Sequence, residues 1–288
     1  MNLALLALVA WAGPADSTLP ADVRKAAIDA RNTPLAERID TISGAMLGHP
    51  YVNDPLGEGR GVDRDPPVRY DAYDCLTFVE EVLGLALAGD PDHAAEVSLA
   101  LRYADGDMAY AHRNHFMELQ WIPRAVAQGW VVDTTARYGT PKHVERVVDE
   151  ATWAAWRSRG KFALTDEELP TGRMALDVLS LDDAIAAADR IRPGTLLLTV
   201  RADRPWNPIW ISHLGIVVPG DTPTVRHATK MSDKTTRDHG LVWYLEHLKT
   251  YDKWPAVGVA MLEPVEFGPR LSRLPREPDA ALPPEPAH

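Results

Sequence analysis

The 288 residues contain one cysteine and ten histidines, and three of these could form a nucleophilic site. Cys75 lies in Tyr73-Asp74-Cys75-Leu76-Thr77-Phe78-Val79-Glu80, where a polar turn gives way to an apolar run. Asp74 is a candidate N-cap, which places Cys75 in the first turn of a helix. Unpaired backbone N–H groups and the positive end of the helix dipole there favour a thiolate, so a nucleophile available near neutral pH is expected. The plain alternative is a small buried hydrophobe, the usual fate of a free cysteine.

A thiol needs a base. His213 lies in Ile209-Trp210-Ile211-Ser212-His213-Leu214-Gly215-Ile216-Val217-Val218, which reads as a strand ending at Pro219-Gly220. Leu214, Ile216 and Val218 would share one face, and His213, Gly215 and Val217 the other. The small residue at 215 leaves room for close approach. Thr224-Val225-Arg226-His227-Ala228 is the next strand. If Val218 pairs opposite Thr224, Gly215 faces His227, and the two histidines become diagonal neighbours on one face. A slip of one residue would put them on opposite faces. The chemistry is then amide cleavage. His213 takes the thiol proton, Cys75 attacks the carbonyl, and His213 returns the proton to the departing amine. The Cys75 N–H is one oxyanion donor. Tyr73 is either a second donor and wall of the site or an aromatic staple at the head of the helix.

The elements around these residues follow from periodicity. Phe78, Val79, Val82, Leu83, Leu85, Ala86 and Leu87 give the broad apolar face of a buried helix. Ala21–Leu47 reads as one or two helices, and residues 51–70, rich in Gly, Pro and Asp, as a loop long enough to shape a site. A polar helical stretch is expected around Val144 to Lys161. Thr195–Val200 reads as a buried strand and Val257–Leu262 as the last one. His112-Arg113-Asn114-His115, with Glu118 three further on, could present a metal site only if the segment were one helical face, and it lacks a full metalloprotease signature.

Taken in order, Asp-Cys-x-Thr-Phe-Val-Glu, Arg-Asn-His-Phe with Trp-Ile close behind, Ser-His-Leu-Gly-Ile-Val and His-Ala resemble the N-acetylmuramoyl-L-alanine amidase-like family within the NlpC-type papain-like cysteine peptidases. The resemblance runs from about Ile39 to Leu262. It implies an α+β papain-like NlpC-type fold, with the Cys-bearing helix among N-terminal helices and packed on a small antiparallel β-sheet or barrel. It implies Cys75 as nucleophile, His213 as base and His227 as the residue that orients it, and it sets Arg113 and His115 along the substrate cleft, where Tyr73 and Ser212 are further candidate substrate-binding residues. The implied substrate is peptidoglycan or a muropeptide, cut between N-acetylmuramic acid and L-alanine, with no cofactor and no metal. The cysteine precedes the histidine, as in the hydrolases and unlike circularly permuted acyltransferase relatives. A γ-D-glutamyl-diamino acid endopeptidase would use the same three groups, and a non-catalytic cell-wall binding module would keep the fold without needing them.

Composition fits this setting. A net charge of −11 and a pI near 5.4 argue against nucleic acid as partner, and 45% hydrophobic residues suffice for a core. Leu3–Ala12 is too short to span a bilayer but suits a signal-peptide core, although no Lys or Arg precedes it. We therefore expect a signal peptide over 1–15, with an extracytoplasmic protein and no membrane span once it is removed. A single amidase-like domain is expected over 16–265, with a helical insertion at about 133–190. Residues 266–288 are expected to be a Pro-rich disordered tail, seven prolines falling between Pro264 and Pro286. Nothing in the sequence specifies an oligomeric state.

Overall fold

A computed structural model describes residues 18–266; the expected signal peptide and nearly all of the Pro-rich tail lie outside that range. Eight α-helices occur among the described residues: α1 (Ala21–Ala30), α2 (Leu35–Ala45), α3 (Cys75–Ala88), α4 (Ala94–Arg102), α5 (Ile122–Ala127), α6 (Glu150–Ala155), α7 (Leu181–Ala187) and α8 (Leu241–Leu248). None is long and apolar enough to cross a membrane. Pro34 separates α1 from α2, since a proline fits the start of a helix and not its interior.

The strands are β1 (Val131–Asp133), β2 (Lys142–Val148), β3 (Gly172–Val178), β4 (Leu196–Arg201), β5 (Ile211–Val218), β6 (Thr224–Ala228), β7 (Thr236–Gly240) and β8 (Ala256–Pro264). Six of them form one antiparallel sheet in the order β1-β8-β4-β5-β6-β7, and β2 pairs only with β3. The architecture is thus α+β around an antiparallel sheet.

Alternation of side chains divides the core in two. Leu196, Leu198, Leu214, Ile216 and Val218 face a large cluster that includes Phe78, Val82 and Leu83 of α3. Leu197, Val217, Val225, Val259 and Met261 face a smaller one built with Ala184 of α7 and Tyr244, Leu245 and Leu248 of α8. A sheet buried on both faces explains why β4 is buried at every position from Leu196 to Val200, with no alternation of apolar and polar residues.

The segment between β1 and β4 departs from the expectation of helix. Where a polar helix was expected from Val144 onward, β2 pairs residue for residue with β3 as a hairpin, and only Glu150–Ala155 is α-helical. The β-branched Val144, Val147 and Val148 suit a pleated strand, and the charged residues between them had hidden that alternation. At its end the hairpin is tied to the main sheet by reciprocal N–H···O bonds of 2.9 Å between Leu179 and Val259. Gly258 permits this, because a Cβ there would lie 2.1 Å from the Leu179 carbonyl oxygen.

Candidate active site

Cys75 is the first residue of α3. The Asp74 side chain accepts the N–H groups of Leu76 (3.0 Å) and Thr77 (2.9 Å), and Thr77 Oγ1 accepts the Asp74 N–H at 2.9 Å, completing a capping box. The half-buried thiol is pushed up to about 12 by burial first and the Asp74 carboxylate second, against the pull of the backbone N–H groups of Leu214, Cys75 and Leu76. The expectation of a ready thiolate is therefore corrected. The helix start does favour the anion, but desolvation outweighs it, and the resting sulfur is a thiol.

The Leu214 N–H belongs to the peptide that links it to His213, so α3 brings the Cys75 sulfur to β5 at the residue that follows His213 in the chain. β5 and β6 pair with Val218 opposite Thr224 and Ile216 opposite Arg226, the register that the turn length suggested. His213 Nε2 and His227 Nδ1 stand 2.6 Å apart. Gly215 makes this possible, since a Cβ on it would meet His227 Cβ at 2.9 Å and Val225 Cγ2 at 2.8 Å. The chain of rings continues to β7, where His239 Nδ1 lies 2.8 Å from His227 Nε2.

Burial lowers His213 to about 4, helped by the charge of Arg201 and then by His239. Burial likewise lowers His227 to about 2. Thiol and imidazole are thus both neutral near pH 7, and the arrangement suits proton transfer during attack rather than a standing ion pair. On the far side of the ring chain, Tyr244 of α8 packs against His227 at 5.4 Å, and its hydroxyl meets Thr199 Oγ1 at 2.7 Å.

The other expected cleft residues are placed differently from one another. Tyr73 is fully buried; its hydroxyl donates to the Tyr70 carbonyl at 2.7 Å, and its ring stacks on His49 and meets Phe78 edge-on. This is the staple alternative. The Arg113 guanidinium is directed inward, to Glu58 Oε1 (2.7 Å), Asp63 Oδ2 (2.8 Å) and the Leu56 carbonyl (3.1 Å), so it clamps the loop of residues 51–70. His115 donates from Nε2 to the Tyr110 carbonyl at 2.6 Å within a cluster of aromatic rings. Ser212 is exposed and accepts from Arg201 Nε at 2.7 Å. It is the extra residue of a bulge, because Val200 pairs with Ile211 while Thr199 pairs with His213.

His112, His115 and Glu118 do not converge. A 3₁₀ turn and a short π-helix replace the single helical face that a metal site required, and buried Glu118 instead accepts the backbone N–H groups of Trp210 and Ile211 that open β5. Three site neighbours were not singled out in the sequence. Tyr51 sits near Cys75 and Asp74, its phenol raised by burial first and then by these two groups, Arg201 lies beside His213, and His239 ends the ring chain. Strand parity across β7 would have found His239; the other two depend on the packing of distant segments.

The family described as AmiA-like, N-acetylmuramoyl-L-alanine amidase-like, matches residues 41–251. The chain belongs to this family. The AmiA-like chain also shares its fold with solved structures. A Legionella pneumophila protein of the DUF1460 family is 22% identical with a TM-score of 0.73, covering 84% of this chain and 93% of that one. A Bacteroides uniformis N-acetylmuramoyl-L-alanine amidase is 20% identical with a TM-score of 0.64, covering 80% and 98%. No curated protein matches the AmiA-like chain. Its family points to a peptidoglycan-related hydrolase.

Proposed function

We propose that the protein is a cysteine-dependent amidase that cleaves the N-acetylmuramoyl-L-alanine bond of peptidoglycan or its fragments, on an NlpC-type papain-like scaffold and after export by the N-terminal signal segment. The observation that carries this reading is the 2.6 Å contact between His213 and His227 on the strand whose Leu214 N–H reaches the Cys75 sulfur. Cys75 attacks the lactyl carbonyl as its proton passes to His213. The N–H of Cys75 and the Tyr51 hydroxyl, kept protonated by burial and nearby negative charge, receive the oxyanion. His213 protonates the departing alanine amine, and water then releases the acyl group from sulfur. His227 orients His213. Ser212 and His115 are assigned to the walls of the cleft, with Tyr73 and Arg113 behind them shaping α3 and the loop of residues 51–70.

Mass spectrometry of the products from defined muropeptides tests this. The expected products are the free stem peptide and the peptide-free sugar. Release of a fragment beginning at the diamino acid would instead establish the γ-D-glutamyl endopeptidase. Activity surviving Cys75→Ser and lost to a chelator would overturn the cysteine mechanism.

A further inference from the structure

His239 is absorbed by none of the roles above, yet it is held as firmly as its neighbours. Its ring lies nearly parallel to Trp243 at 4.8 Å and 22°, and Trp243, half exposed, stacks in turn on His247 at 5.1 Å and 7°. That packing aims His239 Nδ1 at His227 Nε2, 2.8 Å away. Both nitrogens of His227 are therefore engaged, and His227 is completely buried.

A neutral imidazole has one N–H and one lone pair, so each ring-to-ring contact needs a donor on one side and an acceptor on the other. Only two arrangements satisfy the whole chain. In the outward one, His213 Nε2–H donates to His227 Nδ1, and His227 Nε2–H donates to His239 Nδ1. In the inward one every bond is reversed, and His213 carries its hydrogen on Nδ1. Nε2 of His213 is taken up by His227, so Nδ1 is the nitrogen left for the thiol, and it accepts a proton only in the outward arrangement.

We propose that His239 is a positioning residue for the Cys75–His213 pair: its Nδ1 accepts the His227 Nε2–H and thereby holds both inner histidines in the tautomer that leaves His213 Nδ1 free to take the thiol proton. Without an acceptor at 239, the outward arrangement would bury an unpaired N–H on His227. Leaving a bare lone pair there is the smaller penalty, so His227 would turn its hydrogen toward His213 and remove the base. Protonating His239 has the same consequence, because its Nδ1–H would then donate inward. The groups facing it are His227 of β6, Arg237 and Asp238 of β7, and Trp243 and His247 of α8. Burial first, then Arg237 and His247, keep it toward the neutral form, against Asp238.

The activity arms of the test rest on the amidase reading, and the tautomer arm does not. ¹⁵N-histidine labelling with long-range ¹H–¹⁵N correlation should show His213 and His227 of the wild-type protein in the Nε2–H form. In His239→Leu a large Nδ1–H population should appear. His239→Asn places a carbonyl oxygen where Nδ1 stood and should keep the wild-type tautomers. On a muropeptide substrate, kcat/KM should fall about 10- to 100-fold in His239→Leu, the scale on which outer partners orient a histidine, and stay close to wild type in His239→Asn. The acid limb of the kcat/KM profile should move to lower pH in His239→Asn, where nothing titrates at 239. Wild-type His227 found as Nδ1–H, full activity in His239→Leu, an unmoved acid limb, or His239→Asn as weak as His239→Leu would each overturn the proposal. If wild type cleaves no muropeptide, the amidase reading falls while the spectra still decide the tautomers.

Discussion

Two polar networks, one on helix α3 and one on the strands beside its start, solve burial in opposite ways. One turn past Cys75, Glu80 and Glu81 both hold Arg102, through contacts of 2.7 and 3.0 Å. Trp121 Nε1 donates to Glu80 and Ser98 Oγ to Glu81, while Arg102 also reaches the Pro67 carbonyl. Opposite charges lock that network, although burial still pushes Glu81 up to about 7. The histidine chain at the head of the same helix contains no carboxylate. Its three rings are of one chemical kind, all biased toward the neutral state, so no fixed charge locks it and its hydrogens are set by which nitrogen accepts. The contrast separates the two networks: one is held by compensated charge, the other by the pairing of neutral donors and acceptors.

The widest separation is expected from His213→Ala. It should lower kcat/KM on the muropeptide by about 10³-fold, within the usual range for a general base, while the thermal midpoint changes little. A variant as active as wild type would remove His213 from the mechanism. Arg102→Met should do the reverse, costing about 3–5 kcal/mol because two buried carboxyls lose their cation, while folded molecules keep their turnover. The sign with pH follows. The folded-state pKa values of the two glutamates, already raised by burial above the ordinary 4.5 of a glutamate, would rise further. Such groups favour the fold below that value and oppose it as pH climbs through the folded one. The deficit should therefore be largest above pH 7 and shrink toward pH 4.5, as urea titrations at several pH values would show.

A smaller effect tests the geometry between the two histidines. Gly215→Ala puts a methyl group against His227 Cβ, so the 2.6 Å contact must open, and activity should drop about 100-fold, the lower end of what a positioned acid–base group contributes. Retained activity with an unshifted His227 resonance would show that the contact is not needed. The smallest change is expected from Asp74→Asn. Asparagine caps a helix as well as aspartate does, but it removes the charge that helps hold the thiol protonated. Iodoacetamide should then label Cys75 a few-fold faster at pH 8 than in wild type, and a slower rate would contradict the assigned cause.

Much of the site was legible because it is local or periodic. Asp74 ahead of an apolar run defines a helix start, and a five-residue loop with strict alternation sets the β5–β6 register that brings His213 and His227 together. What was not legible depends on segments far apart in the chain. Arg113 has the appearance of a free cleft arginine until the loop bearing Glu58 and Asp63 folds over it, and Tyr73 that of a site wall until His49 and Phe78 enclose it. The charged residues of β2 concealed a strand whose partner lies about thirty residues away.

The sequence by itself determined which side chains could take part and on which face each would stand, since capping and strand parity are decided by neighbours along the chain. Only the tertiary structure decided their protonation, because the balance at Cys75 is set by desolvation from packed elements and not by the helix that begins there. It also decided that a third histidine, on a third strand, closes the line of rings behind His213.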